Sequence, residues 1–125
     1  MTNPNLRRNW RFRLNHAEKA SVDFDLPDGS HWSLNLVELS AEGFAFELEN
    51  GRPELTAATR IDAVAIRVKG VQFAGTLRIV HVTKESEADT VCGAEFAPAT
   101  DADAGTLALL ITALEERDRR TTART

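Results

Sequence analysis

The sequence predicts a small all-β domain, a barrel or sandwich of roughly six antiparallel strands, followed by a single C-terminal helix. Three observations carry this. Apolar residues recur at every second position in a series of short runs. Each run is bounded by turn-forming residues such as Gly, Pro, Asn or Asp. After Pro98 the period changes to that of a helix.

In the first strand, residues 20–26, Val22, Phe24 and Leu26 alternate with Ser21, Asp23 and Asp25. Pro27, Asp28, Gly29 and Ser30 supply a turn, and residues 31–38 resume the alternation through Trp32, Leu34 and Leu36, so the two runs read as a hairpin. Ser40 to Gly43 reverses the chain into residues 44–48, and Glu49 to Pro53 ends that strand. Residues 61–68 form a strand ending at Lys69-Gly70, and a long strand covers 71–82. Gly75 inside it predicts a bulge or tight bend. Lys84 to Asp89 is a polar loop, and residues 90–96 are the last strand. Thr100, Asp101 and Asp103 then form a helix N-terminus, with a capping hydroxyl and acids that suit the helix dipole. Leu107, Leu110, Ile111 and Leu114 make one apolar stripe along a helix over 101–118, and Arg117, Arg119 and Arg120 sit at its favourable end. The division expected is a flexible arginine-rich arm over 1–13, a barrel with its helix over 14–118, and a frayed tail over 119–125.

A chain of 125 residues, 42% hydrophobic and 27% charged, suits one folded domain with its own core. Cys92, the single cysteine, lies in an alternating apolar stretch and reads as a small buried strand residue. No run approaches the roughly 18 apolar residues of a membrane span. The first residues carry no apolar run behind their charges, unlike a secretory signal. The expectation is a cytoplasmic protein without membrane insertion. The net charge is −4, yet residues 1–13 contain Arg7, Arg8, Arg11 and Arg13 and no acid. A basic arm on an acidic body argues against DNA or RNA, which call for a broad positive face, and suits a small anionic ligand gripped at one place.

Enzyme constellations are missing from the sequence. His16, His31 and His81 are scattered without metal-ligand spacing, and there is no nucleophile elbow or phosphate-cradling glycine loop. His81 reads as a surface or boundary histidine. The expectation is a non-enzymatic domain with no metal and no cofactor.

Two clusters carry binding chemistry. The first is Arg7-Arg8-Asn9-Trp10-Arg11-Phe12-Arg13. An arginine fork donates two parallel hydrogen bonds to an oxoanion, fits the O6/N7 edge of guanine, and stacks on flat bases. The second is Glu38-Leu39-Ser40-Ala41-Glu42-Gly43, at a strand end. A carboxylate there can accept from guanine N1 and N2, and a serine hydroxyl with a glycine backbone can approach a base or phosphate closely.

The order of an Arg-x-x-x-Arg arm, a strand hairpin, an x-Ser-x-x-Gly turn and a barrel with a terminal helix resembles the PilZ family, whose domains bind cyclic di-GMP. Arg7 and Arg11 fall at the family spacing, Arg8 doubles the first arginine, and Ser40 and Gly43 match the second motif. Val68 to Val71 through Arg78 to Val80 looks like the family's mid-barrel hairpin, and Cys92-Gly93-Ala94-Glu95-Phe96 followed by a helix like its usual ending. Glu38 stands where the family has Asp or Asn, and Glu42 where many members have a second glycine. The resemblance implies a six-stranded antiparallel PilZ-type β-barrel with one C-terminal helix. It implies cyclic di-GMP as ligand, held by Arg7, Arg8, Arg11, Glu38, Ser40 and Gly43. It also implies an unidentified protein partner that receives the signal. The alternative it leaves open is a degenerate domain that binds protein but no nucleotide.

Overall fold

The computed structural model describes residues 11–15, 18–49, 52–85 and 89–123. Seven strands and one helix follow in order: β1 (Phe12–Arg13), β2 (Ser21–Asp25), β3 (His31–Leu39), β4 (Gly43–Glu49), β5 (Arg60–Val68), β6 (Val71–Lys84), β7 (Asp89–Pro98) and α1 (Asp101–Ala123). All pairings are antiparallel, and the order β3-β2-β5-β6-β7-β4 returns to β3, so six strands close a barrel. Closure leaves no unpaired sheet edge among these six. The short β1 is added to the far end of β3, with Phe12 opposite Leu39 and Arg13 opposite Glu38.

The alternation read from the sequence is the alternation of the barrel wall. Val22, Leu34, Phe46, Ile66, Leu77 and Ile79 all point into a core from which solvent is excluded. Phe44, Phe73 and Phe96 meet at one end, with ring centroids 4.7 to 6.2 Å apart and two edge-on contacts. Hairpin turns follow the local chemistry. Lys69 and Gly70 both take positive φ, the geometry of a two-residue turn whose twist matches its strands. Asp28 accepts from the amide and hydroxyl of Ser30, which holds its carboxyl below the usual carboxylate range.

Gly75 is not itself bulged. The irregularity lies opposite, on β5 between Ile61 and Val64, where Ala63 has φ +54°. A side chain at position 75 would collide with the Ala97 carbonyl and the Phe96 ring, so the glycine makes room for that aromatic cluster.

Phe12 lies within the stretch expected to be an arm, yet it is buried in the core. Helix α1 runs past 118 to Ala123, because no Gly or Pro follows to stop it. Leu107, Leu110 and Leu114 are buried against the barrel, Ile111 is half-buried, and the helix packs on β6 and β7. Thr100 and Asp103 form a reciprocal cap. The Asp103 amide donates to Thr100 Oγ1 at 3.1 Å and the hydroxyl donates back to Asp103 Oδ2 at 2.7 Å. Asp103 Oδ1 also accepts from the Ala74 amide of β6, tying the helix start to the wall. Thr100→Ala is expected to lower stability by about 1 kcal/mol in urea unfolding.

Cys92 is fully buried, and burial pushes its thiol up to about 11. The folded chain is therefore expected to resist a thiol reagent at pH 8 and to react once unfolded in urea. The unfolded thiol ionises near 9.0, so the folded state keeps its proton longer. Stability on this account is complete below pH 9 and is lost as pH rises towards 11.

Among the described residues no helix is long and apolar enough to cross a membrane.

Candidate ligand-binding cleft

On the outer surface of the barrel, a cross-strand row runs over five strands. Arg13 on β1 faces Glu38 on β3, Glu38 faces Ala45 on β4, Ala45 faces Gly93 on β7, and Gly93 faces His81 on β6. The two middle positions are small, and the flanking ones are long and polar. A shallow floor between taller walls results, and a cavity of about 330 Å³ opens over it.

Both walls are aimed by β-bulges. On β3 the register slips between Leu36 and Glu38, leaving Val37 as the extra residue. Without that slip, Glu38 would share the parity of Leu34 and Leu36 and point into the core. With it, Glu38 turns outward while Leu39 turns in. On β6 the same slip falls between Ile79 and His81, leaving Val80 as the extra residue. His81 then turns out, and Val80 is exposed at the cleft edge. The His81 ring lies over Gly93, where any added Cβ would touch the imidazole.

The Ser40–Gly43 turn closes one end of the cleft. Ser40 is buried, donates its hydroxyl to the Gly43 carbonyl at 2.9 Å, and accepts the Gly43 amide at 3.1 Å. The Ser40 amide donates to the same carbonyl at 2.9 Å. The serine hydroxyl is thus engaged in shaping its own turn. Gly43 is required by close approach: a Cβ there would overlap the Ala94 carbonyl of β7. Glu42 anchors the turn through its carbonyl, which accepts the Phe96 amide at 3.0 Å, and its side chain stays exposed.

Charges around the cleft are mixed. Arg11 Nη1 stands 3.7 Å from Glu38 Oε2, and Arg13 Nε 3.9 Å from Glu38 Oε1. Both arginines are largely exposed and both separations exceed hydrogen-bonding distance, so these pairs are weak and easily exchanged. Glu95, beside Gly43, accepts a 2.7 Å hydrogen bond from Arg78. That bond and the Glu95 charge raise the Arg78 pKa above its ordinary value.

Of the residues singled out from sequence, Arg11, Glu38, Ser40 and Gly43 come together at this one cleft. Arg7, Arg8 and Trp10 lie outside the described residues, as do His16, the Asn50-Gly51 turn and the tip of the 84–89 loop. The floor residues Ala45 and Gly93 and the wall residues His81 and Glu95 were not legible as site residues. His81 is exposed, as expected, but its membership of the cleft depends on cross-strand register and on one bulge.

No family model matches the sequence, and no curated protein matches it. The architecture, a closed six-stranded antiparallel barrel with a terminal helix, is shared with solved structures. K. pneumonia MrkH in complex with c-di-GMP superposes with a TM-score of 0.80 and 15% identity, over 90% of this chain and 53% of that one. MrkH in its apo state gives 0.78 at 12% identity, over 97% and 53%. The PilZ domain of YcgR from Escherichia coli, with c-di-GMP, gives 0.71 at 18% identity, over 93% and 96%. The chain has the PilZ-type fold. It spans about half the length of the MrkH chains and nearly all of the YcgR domain.

Proposed function

We propose that this chain is a cyclic di-GMP receptor domain, a binding module rather than an enzyme, working in the cytoplasm and passing its signal to a protein partner. The observation that carries this is the meeting of Arg11 with the Glu38–Gly43 turn at one cleft of a PilZ-type barrel. The chemistry fits a guanine nucleotide. Glu38 offers a carboxylate to the N1 and N2 donors of the base, and its weak contacts to Arg11 and Arg13 exchange at little cost. Arg11, freed from Glu38, turns its fork to a phosphate or to the O6/N7 edge. Arg7 and Arg8, upstream in the same segment, would add phosphate contacts. Ser40 and Gly43 act by holding the turn in shape.

A second reading, a protein-binding domain without nucleotide, is favoured by one observation: Glu38 replaces the shorter Asp or Asn and is already faced by two arginines. Titration calorimetry with cyclic di-GMP, with GMP as control, separates the two. Saturable heat with cyclic di-GMP alone is the expected result. Its absence, unrescued by Glu38→Asp, leaves the protein-only reading.

A further inference from the structure

Among the described residues outside the cleft, the Arg117 side chain, near the end of α1, is held by several partners. Its Nη1 donates to both oxygens of Glu18, at 2.5 and 2.6 Å, and its Nη2 donates to the Arg13 carbonyl at 2.9 Å. Its Nε reaches Asp118 at 2.9 Å. Glu18 is buried and has further ties. Glu18 Oε1 accepts the Asn15 amide at 2.9 Å, its own amide donates to the Asn15 carbonyl, and its carbonyl accepts the Lys69 amide at the β5–β6 turn. One guanidinium therefore joins the C-terminal helix to two points of the segment that leads into the barrel.

That segment also carries the cleft arginine. Phe12 is sunk in the core, Arg13 pairs with Glu38, and the Leu14 amide donates to the Val37 carbonyl at 3.0 Å. Arg11 lies immediately upstream of this fastened stretch and places its guanidinium at Glu38. A bidentate fork tolerates little misplacement, so whatever fixes the Arg13 backbone fixes the aim of Arg11.

We propose that Arg117 is a positioning residue for the cleft: it sets the backbone from which Arg11 reaches the ligand, and it couples occupancy of the cleft to helix α1. This rests on the nucleotide-binding reading above. Coupling through such a joint is reciprocal. If an ordered helix aids capture of the nucleotide, capture must order the helix.

Arg117→Lys tests this in the full chain. A lysine retains a charge for Glu18, but it lacks the planar fork by which Nη1 reaches Glu18 while Nη2 reaches the Arg13 carbonyl. At a temperature where the variant is fully folded, amide exchange at residues 12–15 is expected to quicken. Affinity for cyclic di-GMP is expected to fall roughly tenfold, the value of about one hydrogen bond to a charged group. In the wild type the nucleotide should slow exchange along residues 107–117, and in the variant that slowing should vanish. Arg117→Met leaves Glu18 only Lys69, 4.0 Å away, and should melt below Arg117→Lys while binding no better. A purely structural role predicts instead that affinity follows melting temperature and that Arg117→Lys binds like the wild type, which would overturn the proposal. A wild type that binds no nucleotide overturns the functional reading. Wild-type exchange at residues 12–15 in Arg117→Lys overturns the joint itself, whether or not nucleotide binds.

Discussion

Leu110→Asp is expected to remove about 3–5 kcal/mol of stability, the scale of an uncompensated buried charge. Leu110 is 4% exposed, in the middle of the helix stripe that packs on β6 and β7. A carboxylate there would have to be buried unpaired or protonated, or the helix would have to lift off the wall. Domains of this kind are stable by only about 5–15 kcal/mol, so the variant should unfold at far lower urea concentration or lose its helix. The adjacent Leu109 is the control. It is 74% exposed, off the buried stripe, and Leu109→Asp should change stability by no more than about 0.5 kcal/mol. If the two variants unfold alike, the helix does not pack through this stripe.

The same contrast shows what a sequence can carry. Strand alternation and helical period are local signals, and they placed each of the six barrel strands, the hairpin turns, and the buried face of α1. The two arginine- and serine-bearing motifs were legible for the same reason, since each lies within a few consecutive residues. Information that depends on register was not legible. Glu38 was expected at the site and His81 at the surface, yet strict alternation from Leu36 and Ile79 would put both on the inward faces of β3 and β6. Only the extra residues Val37 and Val80 turn them out to the cleft, and one extra apolar residue in a strand leaves no mark in the sequence. The smallness of Ala45 and Gly93 gains meaning only once Glu38 and His81 are known to flank them. The pairing of Glu18 with Arg117 spans 99 positions, beyond any pattern of neighbours. Ser40 shows the converse. Its place in a motif was evident, but its hydroxyl serves the turn it sits in.

Arg11→Ala is expected to weaken cyclic di-GMP binding by about 1–3 kcal/mol, the worth of one bidentate arginine contact to guanine, or roughly tenfold to a hundredfold in Kd. The guanidinium stands at the cleft mouth, and no other described arginine approaches Glu38 from that side except Arg13. Arg13 is 91% exposed and lies outside the four-residue spacing of Arg7 and Arg11, so Arg13→Ala should cost much less. Arg7→Ala should resemble Arg11→Ala. Glu38→Asp separates the effect of charge from that of reach. It keeps the acceptor, shortens the side chain by one methylene, and draws the carboxylate away from arginines already 3.7 and 3.9 Å distant. Arg11 is then free for the ligand, and binding should tighten. If Glu38→Asp weakens binding instead, the longer carboxylate is the fitted one. If the wild type binds while Arg7→Ala and Arg11→Ala bind equally well, the nucleotide occupies some other surface and this cleft is not its site.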